Sequence, residues 1–151
     1  MVSAIVFVHC GAVEQVPTAP PPPTPGEIAL SSRPNPVRAE RSTDIAFDWM
    51  ATFTLFAREI GGVPGEITGL NAVLEESTGS IAVATGQTNF TFKLSAPQGS
   101  RVAAFGSQRV EFTFFFTIER GSPESIITVE AFYDDDNQFQ TQSSLRIPVI
   151  R

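Results

Sequence analysis

The side chains in this sequence best suited to chemistry are carboxylates, and they fall into two arrangements. Asp134-Asp135-Asp136-Asn137 is a run of oxygen-bearing side chains. Calcium takes about six to eight oxygen ligands, so the run is a candidate calcium site. It lacks the D-x-D-x-D-G…E spacing of a calcium-binding loop. Only alternate residues of an extended run face one ion, so another loop has to complete the shell. The same residues bond their own backbone and tolerate left-handed geometry, so a hairpin turn explains them without an ion. Glu66, Glu75 and Glu76 are the acids a glycosidase pair would draw on. Neighbours in a strand point to opposite faces, so Glu75 and Glu76 read instead as a solvated strand end.

The other reactive groups lie outside the globular part. His9 is the one histidine and Cys10 the one cysteine. The domain that follows contains neither. That removes a structural disulfide, a thiolate zinc site, a Cys nucleophile and any His-assisted triad from its repertoire. The net charge is −6, from ten Lys plus Arg against sixteen Asp plus Glu. A balance of that sign argues against nucleic acid as a partner, since phosphate binding needs a basic face.

Cys10 is informative by position. Val2 to Val8 is an apolar run, too short to span a bilayer, which takes roughly 20 residues. It reads as the end of a secretory signal. An apolar run, then Cys, then Gly and a polar tether resembles a bacterial lipoprotein signal. That resemblance implies cleavage before Cys10 and lipid on its thiol. His9 stands where that family has Gly, Ala or Ser. The plain alternative is an N-terminus with a chance cysteine.

The elements that carry these groups divide the chain in three. Residues 1–10 are the signal remnant, 11–36 a proline-rich linker and 37–151 the folded domain. Pro20 to Pro23 and Pro25 predict an extended polyproline spacer, rising about 3.1 Å per residue. Glu27 to Arg33 alternates weakly and reads as a first edge strand, broken by Arg33-Pro34-Asn35-Pro36.

Within the domain, Gln108 to Glu119 has the strongest pattern. Val110, Phe112, Phe114, Phe116 and Ile118 share one parity, and mostly polar residues share the other. Period 2 with aromatic and β-branched residues predicts a half-buried strand, placed here at the centre of a sheet. Asp44 to Ile60 predicts a second strong strand, with Trp49 as its core anchor. Further strands are expected over Ile67 to Glu76, Ile81 to Ala84, Asn89 to Leu94, Ser125 to Tyr133 and Gln138 to Ile150. Pro148 suggests an edge or a bulge in the last of them. Phe56, Phe115 and Phe132 fall out of phase. They are candidates for an exposed binding surface, or for a face covered by a neighbouring loop.

About seven to eight short strands with turns between them describe an all-β, immunoglobulin-like antiparallel sandwich. Two stretches, Phe53 to Leu74 (F-T-L-F-A-R-E-I-G-G-V-P-G-E-I-T-G-L-N-A-V-L) and Ile127 to Thr141 (I-T-V-E-A-F-Y-D-D-D-N-Q-F-Q-T), resemble an immunoglobulin-like module of bacterial surface proteins and lipoproteins. The resemblance implies no catalytic residues. The expected function is a non-catalytic cell-envelope module: a spacer, adhesion or assembly domain on a lipid-anchored tether. The alternative is a carbohydrate-binding sandwich using exposed aromatics and the acidic loop. The expected partners are the membrane, through the lipid anchor, and other envelope proteins or polysaccharide. No cofactor is expected beyond the candidate Ca²⁺.

Overall fold

The computed structural model describes residues 20–77, 82–84, 90–94, 100–117 and 124–151. His9, Cys10 and Ile118 lie outside them. Among the described residues there are ten strands and no helix. They are β1 Ile28–Arg33, β2 Val37–Arg41, β3 Trp49–Glu59, β4 Gly65–Ser77 and β5 Ala82–Ala84, followed by β6 Phe90–Leu94, β7 Ser100–Val102, β8 Ser107–Phe116, β9 Glu124–Asp135 and β10 Gln140–Ile150. The strands pair in the order β5-β4-β9-β10-β2-β3-β8-β6, with β1 also on β3 and β7 also on β4. The sheet curls over into two layers, one built on β3 and β8 and the other on β4, β9 and β10. All pairings are antiparallel except β2 with β10, which is parallel at Val37–Val149 and Arg38–Ile150.

The phenylalanine alternation fills the space between the layers. Val110, Phe112, Phe114 and Phe116 of β8 are buried, as are Ala51, Phe53, Leu55 and Ala57 of β3. The β3–β8 register sets Phe53 opposite Phe112, and their rings stack at 5.1 Å. Phe92 of β6 extends the row, 5.9 Å from Phe112 and 6.4 Å from Phe114. The opposite layer contributes Leu70, Ala72 and Leu74 from β4, Ile127, Val129, Ala131 and Tyr133 from β9, and Ile147 from β10. Aromatic rings in such rows bury large areas and add pairwise attraction beyond the area itself.

Four expectations need correction. The centre of the first layer is β3, not β8. β3 carries β8 on one side and both β1 and β2 on the other, while β8 lies next to the edge strand β6. The domain begins before residue 37. Ile28 is 2% exposed, and β1 pairs with β3 from Ile28–Glu59 to Arg33–Thr54. Pro34 and Pro36 therefore interrupt an edge partner of β3, where a missing donor is tolerated, and do not belong to a free linker. Trp49 is half-buried at the margin of the core, with the Arg41 guanidinium 4.7 Å from its ring, so it is no deep anchor. The strand over Asp44 to Ile60 starts only at Trp49. Ser42 and Asp44 bond backbone groups within residues 42–46, and these local turns override the alternation.

β2 and β7 were not foreseen as strands. Both are short, and tertiary pairing decides such pieces. Pro148 lies where β10 pairs with β9 and only begins to meet β2. Along the rest of that flank, hydroxyls bridge the layers instead of a backbone ladder. Thr141 Oγ1 donates to the Gly26 carbonyl and Ser143 Oγ to the Ile28 carbonyl.

Phe114 is fully buried, whereas Thr113, its neighbour on the opposite face, is partly exposed. Phe114→Ala is expected to cost about 3–5 kcal/mol, and Thr113→Ala far less. Thermal melts of the two variants check this. Equal shifts would contradict the register described.

Candidate functional site

Two acids are buried at one end of the sandwich. Glu59 closes β3 on the inward parity of Phe53, Leu55 and Ala57, and it is 0% exposed. Its Oε1 accepts the N–H of Gly61 at 2.7 Å and of Glu27 at 3.4 Å. Its Oε2 accepts the N–H of Gly62 and of Phe105, both at 2.9 Å. Burial opposes the charge, but the N–H groups of Phe105, Gly62 and Gly61 outweigh it and hold the carboxyl below its usual range. Phe105 adopts φ 56°, a region bulky residues seldom visit. Its bond to Glu59 holds it there.

Asp135 ends β9 beside this group and is 6% exposed. Its Oδ2 accepts the Gly26 N–H, and its Oδ1 accepts the Phe139 N–H at 2.8 Å. Burial again raises the pKa, and the N–H groups of Gly26, Phe139 and Asn137 lower it further than burial raises it. Tyr133, fully buried between them, donates its hydroxyl to the Val63 carbonyl at 2.7 Å. Burial first, then the charges of Glu59 and Asp135, push its pKa up to about 12. Gly65 admits no side chain, because a Cβ there would lie 2.7 Å from the Asp135 Cα. Asn137 Nδ2 adds a bond to the Thr24 carbonyl at 3.1 Å. Residues 24–28 are thus clasped to both layers. A general acid needs a raised pKa, and both of these carboxyls are lowered.

Of the remaining candidate residues, Glu66 and Asp134 lie opposite each other on β4 and β9, and the others are dispersed. Asp134 accepts from Gln140 at 3.3 Å, and Asp136 pairs with Arg101 at 2.6 Å. Asp135 and Asn137 bond to the incoming segment at Gly26 and Thr24, and only Asp134 and the second oxygen of Asp135 serve the hairpin itself. Among the described residues no group of three or more His, Cys, Asp or Glu could hold a metal ion. Glu75 accepts from Thr128 and pairs with Arg146, each at 2.9 Å, and Glu66 is exposed. The side chain of Glu76 lies outside the description. Phe115 is 4% exposed, covered by Phe47 at 6.2 Å and by Lys93 at 5.1 Å, so it leaves the candidate surface. Phe56 is half-buried, with Arg33 5.9 Å over its ring.

Phe132 is 40% exposed on the outer face of the second layer. The register places Gly69 on one side of it and Gln142 on the other. A bulge between Ile67 and Gly69 turns the Thr68 hydroxyl toward the Phe132 carbonyl. These residues, with Asp134, Gln140 and Thr141, line an open cleft of about 450 Å³. A second hollow, beside Phe139, shares Asp134 and Gln140 with it.

Sequence reasoning passed over Glu59. The available signal was an acid on the apolar parity of a strong strand, immediately before Ile60-Gly61-Gly62. The cleft carried no signal, because it depends on which strands become neighbours.

Fold and site together define an immunoglobulin-like β-sandwich module. No family model matches the chain, and no curated protein matches it. Solved structures match it in fold. A structural-genomics target solved by X-ray crystallography superposes with a TM-score of 0.51 at 7% identity, over 83% of this chain and 86% of that one. The ApaA protein of Bordetella pertussis gives 0.48 at 10% identity, over 86% and 99%. The seventh PapD-like domain of human CEP192 gives 0.45 at 16% identity, over 91% and 92%. At 7% identity the first of these likenesses concerns the fold alone.

The clasp has a pH signature. Glu59 and Asp135 have folded pKa values below their ordinary 4.5 and 3.8. Their contribution is present above those values and is lost as pH falls through the depressed ones. Tyr133 acts at the other end. Its contribution is complete below pH 10.0 and is lost as pH rises toward about 12. Stability measured against pH should therefore fall on both limbs. Glu59→Gln should cost about 2–4 kcal/mol near neutrality and flatten the acid limb. An unchanged acid limb in that variant would refute the assignment.

Proposed function

We propose that this protein is a non-catalytic module of the cell envelope, displayed on a lipid-anchored proline tether. In this reading it serves as a spacer, adhesion or assembly domain. The observation that carries it is the commitment of both buried acids, Glu59 and Asp135, to backbone N–H groups that fasten the incoming chain. Groups held ionised by such bonds anchor a chain; they do not shuttle protons. The clasp lies where the proline segment meets the domain, with residues 20–25 exposed up to buried Gly26. A spacer is useful only if its end is held firmly, and six backbone-directed hydrogen bonds involving residues 24–28 hold it. The sequence around Cys10 supports the anchor, and the backbone bonds that hold Glu59 and Asp135 support the lack of catalysis.

Two measurements test the two halves of this reading. Labelling cells with a fatty-acid probe should mark the wild-type chain and not Cys10→Ser. Equal labelling of the two would remove the lipid anchor. Purified protein should give no turnover across a panel of glycosides, esters and peptides. Reproducible hydrolysis abolished by one Asp or Glu substitution would overturn the non-catalytic reading.

A further inference from the structure

We infer that the cleft beside Phe132 binds a neutral polysaccharide, with a sugar ring lying on the Phe132 face. The inference rests on the module reading above and names the ligand class of its outer face.

The outer face of the second layer is polar around Phe132 and turns apolar only toward Val73, Ile126 and Pro148. β9 presents Thr128, Glu130, Phe132 and Asp134 there, and β10 presents Gln140, Gln142, Ser144 and Arg146. Phe132 interrupts that face. Its ring adds nothing to the buried core, which β9 supplies through Ile127, Val129, Ala131 and Tyr133. Next to it lies Gly69. A Cβ at that position would come 3.2 Å from Phe132 Cδ2, so the missing side chain makes room for the ring beside the neighbouring strand. An exposed ring supported by the neighbouring strand is a platform for the C–H face of a pyranose.

The rest of the lining suits the rim of a sugar. Gln140 and Gln142 each carry both donors and acceptors, as a hydroxyl does, and Thr68 adds a hydroxyl. The volume of about 450 Å³ falls within the roughly 300–1,000 Å³ of small-molecule sites. The cleft is open, and the adjoining hollow leads on to Phe139, 38% exposed. A chain of sugars, more than a single enclosed one, fits that shape.

Charge selects among polysaccharides. The lining contains Asp134 and no Lys or Arg, and Glu66 and Glu130 occupy the flanking positions on β4 and β9. Arg101 on β7, opposite Glu66, is paired with Asp136. An anionic polymer would be repelled by Asp134 in the lining, whereas a neutral one would not.

The test is affinity electrophoresis of the full chain carrying Cys10→Ser, in gels containing galactomannan, glucomannan, xyloglucan or dextran, with alginate and pectate as the anionic arm. At least one neutral polymer should retard the protein, and neither anionic polymer should. Phe132→Ala should weaken the retardation by tenfold or more, and Gln142→Ala by severalfold. Phe56→Ala, an aromatic of β3 on the other layer, should leave it unchanged. Melting curves establish that each variant is folded, and Gln142→Ala keeps the test decisive if Phe132→Ala is not. No retardation in any neutral gel overturns the inference, as does retardation that survives both cleft substitutions or that favours the anionic gels. None of these results touches lipid labelling or turnover, so failure here is distinct from failure of the module reading.

Discussion

The carboxylate of Glu59 is the constraint on which this architecture turns. An ionised acid in an apolar interior is costly unless its lone pairs are occupied. Here four N–H groups occupy them, from Glu27, Gly61, Gly62 and Phe105. Those donors come from three separate stretches of chain. One acid therefore fixes the entry of β1, the turn after β3 and the loop before β8. Removing it would leave several buried donors without a partner, and the cost would fall on all three at once.

Around that point the fold combines two kinds of force. The phenylalanine rows of β3, β8 and β6 supply non-directional burial. The polar end supplies direction: Glu59 comes from one layer, Asp135 and Tyr133 from the other, and residues 24–28 run between them. The hydroxyls of Thr141 and Ser143 continue this along β1, where no backbone ladder joins the layers. Gly26 matters because the Tyr133 ring and the Asp135 side chain crowd it, and Gly65 because backbone approaches backbone there. Asp135 lies so close to Gly65 that even a methyl group has no room.

The same division bears on function. The buried acids are spent on architecture, which leaves the outer surface as the place for recognition. That surface is mostly polar and acidic, and Phe132 stands out on it because its ring contributes nothing to the interior. In the proposed reading, a domain clasped to its proline segment presents the Phe132 cleft outward. The clasp also fixes where the spacer ends relative to that cleft, since the β9–β10 hairpin contributes to both.

Much of the fold was legible in the chain alone. Period-2 alternation is a local property, so Val110 to Phe116, Phe53 to Ala57, Leu70 to Leu74 and Ile127 to Tyr133 declared both their strands and their inward faces. The absence of Cys and His after residue 10 likewise removed whole classes of chemistry without any coordinates. What alternation does not encode is which strand lies beside which. That β3 is central, that β1 belongs to the domain, that β2 runs parallel to β10 and that Phe115 is covered while Phe132 is open all depend on partners distant in sequence. Asp135 is the clearest case. Its neighbours Asp134 and Asp136 make it look like part of an ion-binding run, but its bond to Gly26 spans 109 residues and exists only once the two layers have closed.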